Sequence, residues 1–273
     1  MNDPILSVKN LNINFGGIKA VDNLSFDIPA GSICSLIGPN GAGKTTCFNC
    51  ITGFYKPDTG LILLNGDNIA GLPSHKIAEK GVGRTYQNIR TYSSLTVLEN
   101  ILAGQHIRMK TNLFDTAFHT RRYFSENRST LIEAGRIQKL IGLTGMGDQL
   151  AKNLPYGAQR RLEIGRAIAS QPKLLLLDEP SAGMNPTETR ALSQLIRQLR
   201  DSLGLTILII EHDMSLIMSI SEQVTVLDFG QKISEGKPGE VQRDPRVIKA
   251  YLGSSSVIPQ AVEPSQQRTL ENK

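Results

Sequence analysis

An α/β fold is predicted, with a mainly parallel core sheet flanked by helices, an antiparallel β region on the N-terminal side and an inserted helical lobe. Three observations predict it. Short continuous apolar runs occupy residues 32–37, 174–177 and 206–210, each with a helical pattern beside it, as strands covered on both faces require. Residues 5–15 instead alternate apolar and polar side chains, which marks a strand wet on one face. Residues 88–170 hold few β-branched runs and read as helices.

In chain order, the alternating strand ends in a turn at Gly16 and Gly17, and Leu61 to Leu64 followed by Asn65 and Gly66 is a second strand with a hairpin turn. A helix is expected to begin near Gly43. Within the lobe, helices are expected over 130–140 and 156–169, the latter ended by Pro172. Leu192, Leu195, Ile196, Leu199 and Leu203 recur at helical spacing and Gly204 supplies the stop. One domain is expected over 1–253, its lobe at about 88–170. The Ser-, Gln-, Pro- and Glu-rich residues 254–273 are expected to be a flexible tail.

With 273 residues, 40 % of them hydrophobic, the chain can bury a substantial core, which excludes a disordered chain or a disulfide knot. No apolar run approaches the roughly 18 residues that would cross a bilayer, and no secretory leader opens the chain, so a cytoplasmic location is expected. Cys47 and Cys50 lie in a CFNC tetrad, but no second ligand pair with zinc-site spacing exists, so they are read as packing thiols. The net charge is +5, and residues 105–140 alone carry seven basic against three acidic side chains. Such a patch suits an anionic membrane surface, nucleic acid or an acidic partner; a solvated helical face is the plainer reading.

The chemistry begins at Gly38, Pro39, Asn40, Gly41, Ala42, Gly43, Lys44 and Thr45, which read GPNGAGKT between an apolar strand and a helix. This is a phosphate-binding P-loop in its required context. Successive backbone N–H groups and the helix N-terminus cradle polyphosphate, Lys44 reaches the β and γ phosphates and the Thr45 hydroxyl ligates Mg²⁺. Residues 174–180 read LLLLDEP: a buried strand delivering Asp178 to the metal and, next to it, Glu179 to the lytic water. A GTPase is disfavoured, because an Asn-Lys pair occurs only at Asn272 and Lys273, with no Asp after it.

With these residues in place the chain resembles the nucleotide-binding subunits of ATP-binding cassette (ABC) transporters over residues 5–253. Phe15 matches the aromatic residue that stacks on adenine, and Thr46 extends the phosphate-binding set. Gln87 in RTYQN matches the loop glutamine that contacts magnesium and couples it to the permease, and LPYGAQRR at residues 154–161 stands where the signature belongs. Ser181 to Asn185 match the dimer-contact loop and His212 the switch histidine. The resemblance thus implies Asp178, Thr45 and Gln87 at the metal, Glu179, His212 and Gln87 in catalysis, and Tyr156 and Gly157 against nucleotide across a dimer. RTYQN, GQH at 104–106, RRLEIGRA at 160–167 and KAYLG at 249–253, with the basic insertion, are similar to importers of branched-chain (hydrophobic) amino acids. Urea or short-amide importers, lipopolysaccharide exporters and soluble relatives acting on nucleic acid remain the alternatives.

The cofactors implied are ATP and Mg²⁺. The partners implied are membrane permease subunits, a second ATPase subunit and, indirectly, a periplasmic solute-binding protein, with no nucleic acid, at the cytoplasmic face of the inner membrane. One departure stands out: Pro155 occupies the usual Ser position of the signature, and Ala158 the first Gln position, so the hydroxyl expected to reach γ phosphate across a dimer is absent.

Overall fold

A computed structural model describes residues 4–109 and 120–252. Two sheets organise them. The four-stranded one is antiparallel, in the order β2 (Ile18–Pro29), β1 (Pro4–Phe15), β4 (Thr59–Leu64) and β5 (Asp67–Asn68). The six-stranded one runs β10 (Gln231–Gly236), β9 (Gln223–Asp228), β3 (Ile33–Ile37), β8 (Thr206–Ile210), β7 (Leu174–Asp178) and β6 (Val82–Arg84). Its strands are parallel except β10, which pairs antiparallel with β9.

Alternation along the parallel strands divides the interior. Cys34, Leu36, Leu174, Leu176, Leu208 and Ile210 face a core shared with the antiparallel sheet and α1 (Lys44–Ile51). Ile33, Leu175, Leu177, Ile207 and Ile209 face the opposite core, completed by α3 (Val97–Gln105), α4 (Arg121–Leu140), α5 (Tyr156–Ala169) and α6 (Pro186–Leu203). A short α2 (Ser74–Glu79) precedes β6, and α7 (Met214–Ile220), α8 (Pro238–Val241) and α9 (Pro245–Leu252) close the C-terminal side.

The α/β class, the antiparallel region and the helical lobe appear as expected, and α6 ends at Gly204 in the left-handed region, with φ 63°. The helix expected over 130–140 is longer and begins at Arg121. Thr120 caps it by accepting from the Tyr123 N–H at 3.3 Å, and only Ala134 and Ile137 of the helix are buried, so its N-terminal half lacks the apolar stripe that pattern reading needs. The tail 254–273 lies outside the described residues, as do Gly253 of KAYLG and Lys110 and Asp115 of the basic segment.

Candidate nucleotide site

The P-loop connects β3 to α1 through backbone that only glycine tolerates at two points. Gly38 has φ 150° and a Cβ there would lie 2.1 Å from the Leu227 carbonyl oxygen; Gly43, with φ 95°, would meet the Ala20 carbonyl oxygen at 2.4 Å. The loop is therefore wedged between β9 and β2 and its shape is imposed from outside. Lys44 is buried and donates to the Gly38 and Pro39 carbonyls at 2.7 and 2.9 Å. Burial pushes its ammonium below the ordinary lysine range, and the nearby Glu179 and Asp178 carboxylates oppose that shift. Asn40, Gly41 and Thr45 are exposed, Thr46 is half-buried and Pro39 and Ala42 are buried.

The six-stranded sheet brings the acidic pair to the same place. Asp178 ends β7, 4 % exposed. Burial raises the pKa of its carboxyl, and a hydrogen bond from Arg84, 3.0 Å away, opposes the rise. Glu179 then turns the chain in the left-handed region at φ 45°, a conformation few non-glycine residues adopt. Its N–H is held by the Ile210 carbonyl at 2.9 Å. The turn leaves its carboxylate able to accept from Gln87 Nε2 at 2.9 Å, with His212 Nδ1 3.9 Å from the same oxygen. Residues 92 and 33 positions apart from Glu179 thus converge on it.

Three further charged residues, unassigned by sequence reasoning, hold this geometry. Arg160 and Glu163 form an ion pair on α5 at 3.0 Å, with side chains 0 % and 1 % exposed. Arg160 also donates to the Tyr86 and Gln87 carbonyls at 2.6 and 2.8 Å, while Glu163 accepts from the Tyr86 and Arg90 N–H groups at 3.2 Å each. The signature helix is thereby fastened to the backbone of the glutamine loop. Glu211, fully buried, accepts from Ser181 N–H at 2.7 Å with one oxygen and from His212 and Asp213 N–H at 3.1 and 3.4 Å with the other. A charge directly after the apolar run ILII was the available signal for Glu211.

Other expected residues make contacts of their own. Phe15 ends β1, its exposed ring edge-to-face with Tyr55 at 5.1 Å. Tyr156 and Gly157 begin α5 beside the chain's own Ser181–Asn185 loop: Tyr156 Oη donates to the Ala182 carbonyl at 2.9 Å, and a Cβ on Gly157 would meet Glu188 Oε1 at 2.8 Å. Pro155 sits at the N-cap of α5 and offers no side-chain cap. The three cysteines are buried, and burial raises the Cys34 and Cys50 thiols to about 11 and about 12 and Cys47 further still.

For Mg²⁺, the available donors are the Thr45 hydroxyl, the Gln87 amide oxygen and the Asp178 carboxylate, a hard oxygen set of the kind that cation takes alongside water and phosphate. Asp178 and Glu179 both act on the Lys44 ammonium, so the two carboxylates lie near the phosphate loop. No helix among the described residues is long and apolar enough to cross a membrane.

Comparison with known proteins shows the family of the chain. The ABC transporter family pattern matches residues 21–182, and that of the branched-chain amino acid ATP-binding cassette transporter matches residues 231–256. The chain is 47 % identical over 255 residues to the high-affinity branched-chain amino acid transport ATP-binding protein LivG of Escherichia coli (strain K12), covering 93 % of this chain and 100 % of that protein. It is 46 % identical, with the same coverage, to the corresponding protein BraF of Pseudomonas aeruginosa. The crystal structure of the ADP conformation of an ATP-binding cassette of an ABC transporter superposes with a TM-score of 0.80 at 31 % identity, covering 92 % of this chain and 99 % of that one.

Proposed function

The chain belongs to the ABC transporter family of ATP-binding cassettes, and on that premise we propose that it is the ATP-hydrolysing subunit that energises import of branched-chain or other hydrophobic amino acids through a membrane permease. The observation that carries hydrolysis is the Gln87–Glu179–His212 cluster placed beside Lys44. The relatives at 46–47 % identity and the matching C-terminal segment support the amino-acid substrate.

In this reading the P-loop backbone from Gly38 to Thr45, with Thr46, surrounds the ATP phosphates. Lys44 leaves the Gly38 and Pro39 carbonyls and neutralises β and γ oxygens, and Phe15 offers its exposed ring to adenine. Thr45, Asp178 and Gln87 would hold Mg²⁺, which supplies charge neutralisation across the β and γ phosphates. Glu179 takes the proton of the attacking water, Gln87 orients that carboxylate, and His212 donates to the γ phosphate as charge builds on it. The second half of each site, Tyr156 and Gly157 at the positive end of α5, belongs to the opposing subunit in this reading. The working assembly is then two ATPase subunits on two permease subunits, at the cytoplasmic face of the membrane, fed by a periplasmic binding protein.

Reconstitution in liposomes with candidate permease subunits and a solute-binding protein tests the reading. Leucine or a similar amino acid should stimulate ATP hydrolysis and enter the vesicle. Stimulation by urea or by lipopolysaccharide, or tight salt-sensitive binding of nucleic acid by the purified chain, would overturn the assignment.

A further inference from the structure

Arg84 ends β6, three residues before Gln87, with its side chain 8 % exposed. Nη2 donates to Asp178 Oδ2 at 3.0 Å, and Nη1 donates to Asn49 Oδ1 and Thr52 Oγ1 at 2.8 Å each. Asn49 lies in α1, the helix that the P-loop opens, and Thr52 caps its end. The Phe48, Phe54 and Tyr86 rings stand 5.8, 6.0 and 5.1 Å from the guanidinium carbon, close enough for their faces to favour the cation. Nε is buried with no partner.

The guanidinium is a rigid planar fork. Anchored on two α1 groups and boxed by three rings, it has one free direction, and that points at Asp178. The distance from the Asp178 carboxylate to the P-loop helix is therefore set by a side chain that touches both. Only Oδ2 is engaged by Arg84, so the other oxygen is available to a further cation.

We propose that Arg84 is a positioning residue for Mg²⁺: it holds the Asp178 carboxylate at a fixed place relative to the P-loop helix, so that the metal meets a pre-set ligand. The inference rests on the reading of Asp178 as the metal ligand. Because Arg84 precedes Gln87 on the same segment, it also ties the metal carboxylate to the loop whose glutamine faces Glu179.

The test is binding of a fluorescent ADP analogue, first in EDTA and then along a MgCl₂ titration, for wild type, Arg84→Gln, Asp178→Asn and the double variant. Arg84→Gln and Asp178→Asn should each raise the Mg²⁺ concentration at half-effect by about tenfold or more, as removal of a metal ligand's hydrogen-bond partner does elsewhere. For Arg84→Gln, binding in EDTA should stay within about twofold, and the double variant should add nothing to Asp178→Asn. Should Arg84→Gln not fold, Arg84→Lys, which keeps the charge and loses the fork, carries the same expectation, and the double variant has no unpaired buried anion to unfold it. Equal weakening with and without Mg²⁺, or a shift in Asp178→Asn that Arg84 variants lack, overturns the proposal. An unshifted Asp178→Asn removes the metal reading itself, and the proposal with it.

Discussion

Replacing Glu211 by Gln should separate the two loops that this buried carboxylate joins. The native group accepts three backbone N–H bonds, from Ser181, His212 and Asp213, and it is fully buried. Gln keeps the shape but presents one NH₂ where an acceptor is needed, so at least one N–H faces another donor. Losing one charge-assisted bond costs about 1.5–3 kcal/mol, which for a domain of this size lowers Tm by roughly 3–9 °C at about 2–3 °C per kcal/mol. The damage falls on Ser181 and His212, so ATP turnover should drop about tenfold or more while nucleotide affinity, set by the P-loop, holds within about twofold. Thermal unfolding by circular dichroism, steady-state hydrolysis and equilibrium nucleotide binding give the three readouts. A Tm within about 1 °C of wild type together with full turnover would refute the argument that Glu211 holds both loops in place.

Gly38→Ala should lose nucleotide binding and several degrees of Tm, because the added Cβ collides with the Leu227 carbonyl oxygen; Gly31→Ala, at φ 73° with open space around it, isolates the backbone strain of about 1–3 kcal/mol. Pro155→Ser supplies the missing cap of α5, so Tm should rise by an amount matching about 0.5–2 kcal/mol, and hydrolysis at the composite site using this α5 should rise about tenfold if a donor to γ phosphate is restored; no change in either means that backbone N–H groups suffice. Thiol reagents at pH 8 should leave the native chain unlabelled, because thiolate is disfavoured below thiol pKa values of about 11 for Cys34 and about 12 for Cys50 and burial bars access. Labelling should appear on unfolding, and rapid native labelling of any of the three would contradict their place in the core.

What was legible in the sequence was what is local in the chain. The P-loop is eight consecutive residues, and LLLLDEP is a strand with its acidic end attached, so both could be read without a partner. The strands Leu174–Asp178 and Thr206–Ile210 were legible because both faces are apolar. β2 was not, since Asn23 at φ 52° and several register shifts break its alternation, and β6 has only three residues. The supporting charges were hidden for another reason: Arg84 meets Asp178 94 positions away, and Arg160 meets Gln87 73 positions away. Their charge predicts a wet surface, and only the fold shows that each is buried against a loop of the site. The roles of Phe15, Gln87 and His212 came from resemblance; the structure adds that Gln87 and His212 reach Glu179 and that the Phe15 ring is exposed beside Tyr55.

The central claim is that Glu179, oriented by Gln87 and approached by His212, activates water for attack on a phosphate held by Lys44. Single-turnover hydrolysis by Glu179→Gln, measured beside ATP affinity on the same protein, tests it most directly. The geometry predicts ATP bound within about twofold of wild type and hydrolysis slowed by about 10²-fold or more, the range general-base removal produces. Near-normal hydrolysis in that variant would contradict the assignment of Glu179 and the mechanism built on it.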